Sequence, residues 1–136
     1  MKSELEVDER IRRSDVDSTG TIRFMAYARL LEVAEFESLR SLGFDAAAFH
    51  RLGIELRHVH IDFDFFKPVG VDEVLTLRTS VAGVGVHSVR LKIDVLRASD
   101  GVQAAALTLV AACVDSANRS VSMPAELAEA LRARLP

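Results

Sequence analysis

Residues 12–32, RRSDVDSTGTIRFMAYARLLE, pass within a few positions from turn chemistry to an amphipathic helix. The stretch from Arg13 to Thr21 is rich in Ser, Asp, Thr and Gly, which is loop composition. From about Phe24 the apolar period becomes helical. Tyr27, Leu30, Leu31, Ala34, Ser38 and Leu42 share one broad face, and Arg29, Glu32 and Arg40 fall opposite. Gly43 is placed to end the helix as a residue with positive φ. The stretch therefore predicts one long helix, preceded by a loop that carries two carboxylates, Asp15 and Asp17.

On either side of this helix the chain reads mostly as strand. SELEVDERIR alternates through Leu5, Val7 and Ile11 and predicts a first strand ending near Arg12. After the long helix, FDAAAFHRLG has the composition for one or two further helical turns. VHIDFDFF puts Val59, Ile61, Phe63 and Phe65 on one face and His60, Asp62 and Asp64 on the other. Ile54 and Leu56 have the opposite parity, so a bulge or bend is expected near Arg57 and His58. KPVGVDE is a connection. VLTLRTSV and HSVRLKIDVLR are the next strands, and Asp100-Gly101 marks a tight hairpin. VQAAALTLVAACVD is apolar on both faces, as an interior strand is. Pro124 can open a short terminal helix. Strand, long helix, then about four antiparallel strands on short loops is an α+β order, with the helix lying on a curved antiparallel sheet.

Composition narrows the function. The chain has 136 residues, a length that predicts one domain over residues 1–136. A formal charge of -3 with scattered lysines and arginines speaks against nucleic acid as a partner. The N-terminal MKSELEVDER has no apolar core of the kind a secretory signal needs. The longest apolar run, AAALTLVAACV, is shorter than the roughly 20 residues that span a bilayer as a helix. Cys113 is the lone cysteine, so no internal disulfide can form, and a cytoplasmic setting is expected. There is no internal repeat.

SDVDSTGTIRFMAYARLLE resembles the start of the 4-hydroxybenzoyl-CoA thioesterase type within the hotdog-fold superfamily. That pattern is Asp-x-Asp-x-x-Gly, an apolar residue two places on, a Tyr seven places after the Gly, and an acidic residue five after the Tyr. Here these are Asp15, Asp17, Gly20, Ile22, Tyr27 and Glu32. FFKPVGVDEVLTLRT, VHSVRLKIDVLR, the Asp-Gly hairpin and VSMPAEL continue the match in order, so that it covers roughly residues 5 to 130. The resemblance implies a hotdog fold, a long central helix wrapped by a curved antiparallel sheet of about five strands. It implies hydrolysis of an acyl-CoA, or of an acyl group on a carrier protein, with no cofactor and no metal. It also implies a homodimer or homotetramer with active sites between subunits. A non-catalytic acyl-CoA-binding protein of the same fold is the reading from a different class.

Thioester hydrolysis asks for an activated water or a nucleophile, a donor to the carbonyl oxygen, and space for the acyl group. A carboxylate ahead of a helix meets the first need, and the unpaired amides of the helix N-terminus meet the second. The resemblance places the catalytic carboxylate on Asp17, as base or nucleophile, and the polarising amide near Phe24. Locally, Asp17 reads equally as an Asx-turn or helix cap. Asp15 is expected to shape the loop. Gly20 would let backbone approach the substrate, and Tyr27 completes the motif. Thr21 and Phe24 stand where many relatives have His and Asn. Glu32 falls on the outer face, and Glu35, flanking the core face, is a secondary carboxylate. Phe36, opposite the core face, either meets another subunit or packs under a loop. The resemblance puts Ser88 and Arg90 on a strand lining the coenzyme cleft, where an arginine suits a phosphate, and Lys67 is a similar candidate. His58, His60, Asp62 and Asp64 lack the tight spacing of a zinc site. No Gly-x-Ser-x-Gly elbow marks a serine triad.

Overall fold

A computed structural model describes residues 4–136. The predicted first strand would begin at Ser3, which lies outside those residues. In chain order the elements are β1 (Glu4–Arg10), a 3-10 turn (Arg13–Asp15), α1 (Phe24–Ser41), α2 (Ala46–Leu52), β2 (Ile54–Phe65), β3 (Val74–Val84), β4 (Ser88–Arg97), β5 (Gln103–Asp115) and α3 (Ala125–Arg132). The strands form one antiparallel sheet in the order β1-β3-β4-β5-β2. Curved around α1, this is the α+β hotdog arrangement that the resemblance implies.

Hydrophobic burial along α1 sets its position. Ala26, Tyr27, Leu30, Leu31, Ala34, Ser38 and Leu39 are buried, close to the face read from the sequence. They pack on the inward residues of β3, β4 and β5, among them Leu75, Leu77, Leu91, Ile93, Leu107 and Leu109. Leu42 is only half-buried, because it is the cap residue, and Gly43 follows it at φ +94°. The expected extra turns are α2, capped by Asp45, whose Oδ1 accepts the amide of Ala48, and closed by Gly53 at φ +68°.

β5 is an interior strand, as its two-sided apolarity predicts, whereas β2 lies at the sheet's edge. The parity switch in β2 is a bulge. The pairing to β5 slips between His58 and His60, leaving Val59 as the extra residue. Consequently Leu56, His58, Ile61, Phe63 and Phe65 oppose Cys113, Ala111, Leu109, Leu107 and Ala105, all buried. Those five β2 residues share the concave face toward α1, and Val59 is set apart from them. Among the described residues no helix is long and apolar enough to cross a membrane.

Candidate functional site

The loop between β1 and α1 is held by two carboxylates with separate duties. Asp15 is buried, and Arg29 grips it from the first half of α1, Nε to Oδ1 at 3.1 Å and Nη2 to Oδ2 at 2.7 Å. The amide of Arg12 also donates to Asp15 Oδ2, and Arg29 Nη1 reaches Glu9 on β1. Burial alone would push the Asp15 carboxyl up. The hydrogen bonds from Arg29 and Arg12, with their charges, outweigh it and hold the group below its ordinary value. Asp15 therefore shapes the loop and ties it to the helix.

Asp17 holds the loop tip. Its Oδ1 accepts the Thr19 hydroxyl at 2.6 Å, the Thr19 amide at 2.9 Å and the Thr21 amide at 3.1 Å. The Thr19 hydroxyl bond, then the amides of Thr21 and Thr19, lower its proton affinity. Its amide donates to the Thr21 carbonyl, and Val16 bridges to Ile22 at the loop's base. The Asx-turn reading is thus correct for one oxygen. Oδ2 makes no hydrogen bond among the described residues. The helix-cap reading is not what forms: the cap of α1 is Arg23, without a side-chain cap bond.

That uncapped start matters chemically. The amides of Phe24 and Met25 have no intrahelical acceptor, and neither donates to backbone elsewhere among the described residues. A cleft of about 320 Å³ opens beside them, lined by Thr21, Ile22, Phe24, Tyr27 and, from the end of β2 and the loop after it, Phe65 to Pro68. Asp17 does not line it but is bonded to Thr21, which does. Ile22 and Thr21 are clamped to Val69 and Gly70, which keeps the loop against this second segment.

The predicted residues divide. Phe24 and Tyr27 line this cleft, whereas Asp17 does not line it and joins it only through Thr21, whose amide its Oδ1 accepts. Tyr27 is buried, its ring 5.1 Å from that of Phe65, and burial followed by the charge of Glu73 raises its hydroxyl pKa. Gly20 lies in the loop but does not line the cleft. Its need for glycine is φ +81°, since a Cβ there would meet open space. Ser88 and Arg90 lie elsewhere. They pair with Ala112 and Val110, far along β5 from Ala105 opposite Phe65, and they alternate outward from buried Val89 and Leu91. Within one chain they do not meet Asp17. Lys67 does line the cleft, and its ammonium has no partner among the described residues. Phe65, Phe66 and Pro68 line the cleft without belonging to the motif. Their signal in the sequence is the aromatic pair leading into Lys-Pro at the head of FFKPVGVDEVLTLRT, a segment of the resemblance in which none of the three is named as a site residue.

Farther along α1, Glu35 faces His58 of β2, Oε1 to Nε2 at 2.8 Å. Burial raises the Glu35 pKa, and the bond to His58 opposes that. Glu32 is exposed, in line with its outer-face reading, and Phe36 is 53% exposed rather than packed under a loop. No group of three or more His, Cys, Asp or Glu among the described residues is placed to hold a metal. His60 and Asp62 pair with each other on the surface.

A carboxylate with one oxygen left without a hydrogen bond among the described residues, unpaired amides at a helix mouth and a cleft beside those amides are groups that acyl transfer can use. A sequence model of the family described as "Thioesterase-like superfamily" matches residues 11–131. No curated protein matches the chain. Among solved structures, a hypothetical protein from Aquifex aeolicus superposes with a TM-score of 0.87 at 22% identity, over 93% of this chain and 98% of that one. A 1,4-dihydroxy-2-naphthoyl-CoA thioesterase from Synechocystis gives 0.86 at 17% identity, over 95% and 96%. A hypothetical protein from Staphylococcus aureus, in complex with CoA, gives 0.92 at 12% identity, over 100% and 88%. At such identities the structural likeness speaks for the fold.

Proposed function

The chain belongs to the thioesterase-like superfamily, and on that premise we propose that it hydrolyses an acyl-CoA to the free acid and CoA, with Asp17 at the reacting centre. The observation that carries this reading is the division of labour in the Asp17 carboxylate. Three hydrogen bonds fix Oδ1, while Oδ2 is left without one, in a loop whose Thr21 and Ile22 line the cleft at the N-terminus of α1. The thioester carbonyl sits with its oxygen on the amides of Phe24 and Met25, where partial positive charge stabilises the developing oxyanion. The phenyl ring of Phe24 lines the cleft, and its amide needs no polar side chain to act.

In this reading the carboxylate itself attacks, and the hydrogen bonds that lower its proton affinity keep it ionised for that role at neutral pH. Oδ2 adds to the carbonyl, CoA leaves as thiolate, and water then cleaves the mixed anhydride to restore Asp17. Lys67 is placed for an anionic part of the substrate. Ser88 and Arg90 are assigned to coenzyme bound at the cleft of a neighbouring copy in a homodimer or homotetramer, since neither reaches its own. The protein works as a single-domain enzyme in the cytoplasm in this reading.

The test is Asp17→Asn. Loss of the nucleophile is expected to lower kcat by roughly a thousandfold, with acyl-CoA binding and thermal stability retained. Intact-mass measurement under single turnover should catch an acylated wild type and an unacylated variant. Hydrolysis that survives the substitution, or a wild type that binds acyl-CoA without turning it over, refutes the assignment.

A further inference from the structure

A second and larger hollow on α1 is not used by this chemistry. About 480 Å³ open between the C-terminal half of α1, α2 and the start of β2, walled by Phe36, Leu39, Phe44, Phe49 and Leu56, with the carboxylates of Glu32, Glu35, Asp45 and Glu55 also on its lining. Both hollows lie on one seam. α1 touches β2 at Tyr27–Phe65 and again at Glu35–His58, so the helix and the strand run in opposite directions side by side. The β2 residues along that seam are Phe65, Phe63, Ile61, His58 and Leu56, set on a single concave face by the bulge at Val59. An apolar wall therefore runs from the cleft beside Asp17 to the hollow under α2. His58 is the one polar group among these β2 residues, and its Nε2 is bonded to Glu35.

We propose that the second hollow holds the far end of the substrate's acyl group, which makes long aliphatic acyl thioesters the substrates of this chain rather than short or single-ring ones. The proposal rests on the thioesterase reading and adds the substrate class to it. Phe24 and Phe36 are separated by about 18 Å along the helix, a span that acetyl or benzoyl does not cover. An extended alkyl chain does, and each of its methylenes leaves water for the rings of Phe36, Phe44 and Phe49. This also accounts for Phe36, an aromatic side chain left half-exposed where it meets Leu39, Phe44, Phe49 and Leu56 around the hollow.

The experiment compares kcat/KM for acetyl-, hexanoyl-, benzoyl-, dodecanoyl- and hexadecanoyl-CoA, and binding of the unhydrolysable hexyl and dodecyl thioethers of CoA. Dodecanoyl-CoA is expected to exceed hexanoyl-CoA by at least about tenfold. Ala46→Trp, at the exposed start of α2, fills the hollow, and Phe36→Ser, also at an exposed site, removes part of its wall. Both should bring the dodecanoyl-to-hexanoyl ratio toward one, in turnover and in thioether binding. A flat chain-length profile in wild type, or a ratio that neither variant moves, overturns the tail site. If no thioester is cleaved but dodecyl thioether binds tighter than hexyl and Ala46→Trp abolishes the difference, the hydrolysis reading falls and the tail site stands. Turnover indifferent to chain length removes the tail site and leaves hydrolysis in place.

Discussion

The proton affinity of Asp17 can be adjusted through its neighbours, which makes its chemistry testable without removing it. Donors to Oδ1 stabilise the ionised form, the Thr19 hydroxyl first among them, and hold the pKa below the ordinary carboxylate value. A depressed pKa keeps the group charged through the neutral range and loses that charge only as pH falls through the lowered value. The acid limb of kcat/KM is thus expected below the range of a free aspartate. Thr19→Val removes the leading donor, so the limb should shift to higher pH, toward the ordinary value. A pH–rate profile checks this, and a limb indifferent to the substitution would detach Asp17 from the reaction. The motif in the sequence singles out Asp17 but does not reveal that its two oxygens differ, Oδ1 taking three hydrogen bonds and Oδ2 none among the described residues. Asx-turn and nucleophile look like competing readings because local sequence carries no information on which of two equivalent oxygens is occupied.

At the level of elements, β3 contains an internal inconsistency that can be repaired. Thr79 is buried on the concave face between Leu77 and Val81, opposite Leu5 on β1 and Ile93 on β4, and its hydroxyl has no hydrogen-bond partner among the described residues. A desolvated, unpaired hydroxyl costs about 1 kcal/mol or more, and Val fills the same volume without it. Thr79→Val is expected to raise stability by about 1 kcal/mol, read as a higher urea midpoint at unchanged slope. Elements of this kind are largely legible in the sequence. The 3.6-residue period of α1 and the two-residue period of β4 report directly which face is buried, and the parity change before Val59 exposes the bulge in β2. Less legible is what depends on pairing between distant segments. Strand alternation puts Arg90 on the outer face but does not say which end of β5 lies beside it, so its distance from Asp17 emerges only from the register. Lys67 enters the cleft for the same reason. The clamp between residues 21–22 and 69–70 is a long-range contact with no local signature.

For the whole molecule, the two edges of the sheet are unlike, and the difference bears on assembly. β1 is a seven-residue edge whose outward residues are charged, the usual protection against strand addition. β2 is a twelve-residue edge, about 40 Å long at strand rise, that leaves Val59, Ile61 and Phe65 at 59%, 40% and 53% exposure. A second copy adding its own β2 antiparallel would satisfy this edge, cover those side chains and roof the seam between α1 and β2, turning an open groove into a closed channel. Antiparallel pairing also brings the Ile54 end of one strand toward the Phe65 end of the other, so each Asp17 cleft would border the partner copy. The expected outcome is a dimer or larger assembly in sedimentation velocity. Val59→Lys sets two like charges near the shared edge and should raise the dimer dissociation constant by at least about tenfold, since a like-charge contact in place of an apolar one loses more than the roughly 1.4 kcal/mol that a tenfold change requires. Activity at a fixed low protein concentration should fall with the dimer fraction and recover as the variant is concentrated. A wild type that sediments as a monomer and is fully active would show that one copy closes its own site, and would leave the exposed apolar edge of β2 without a function.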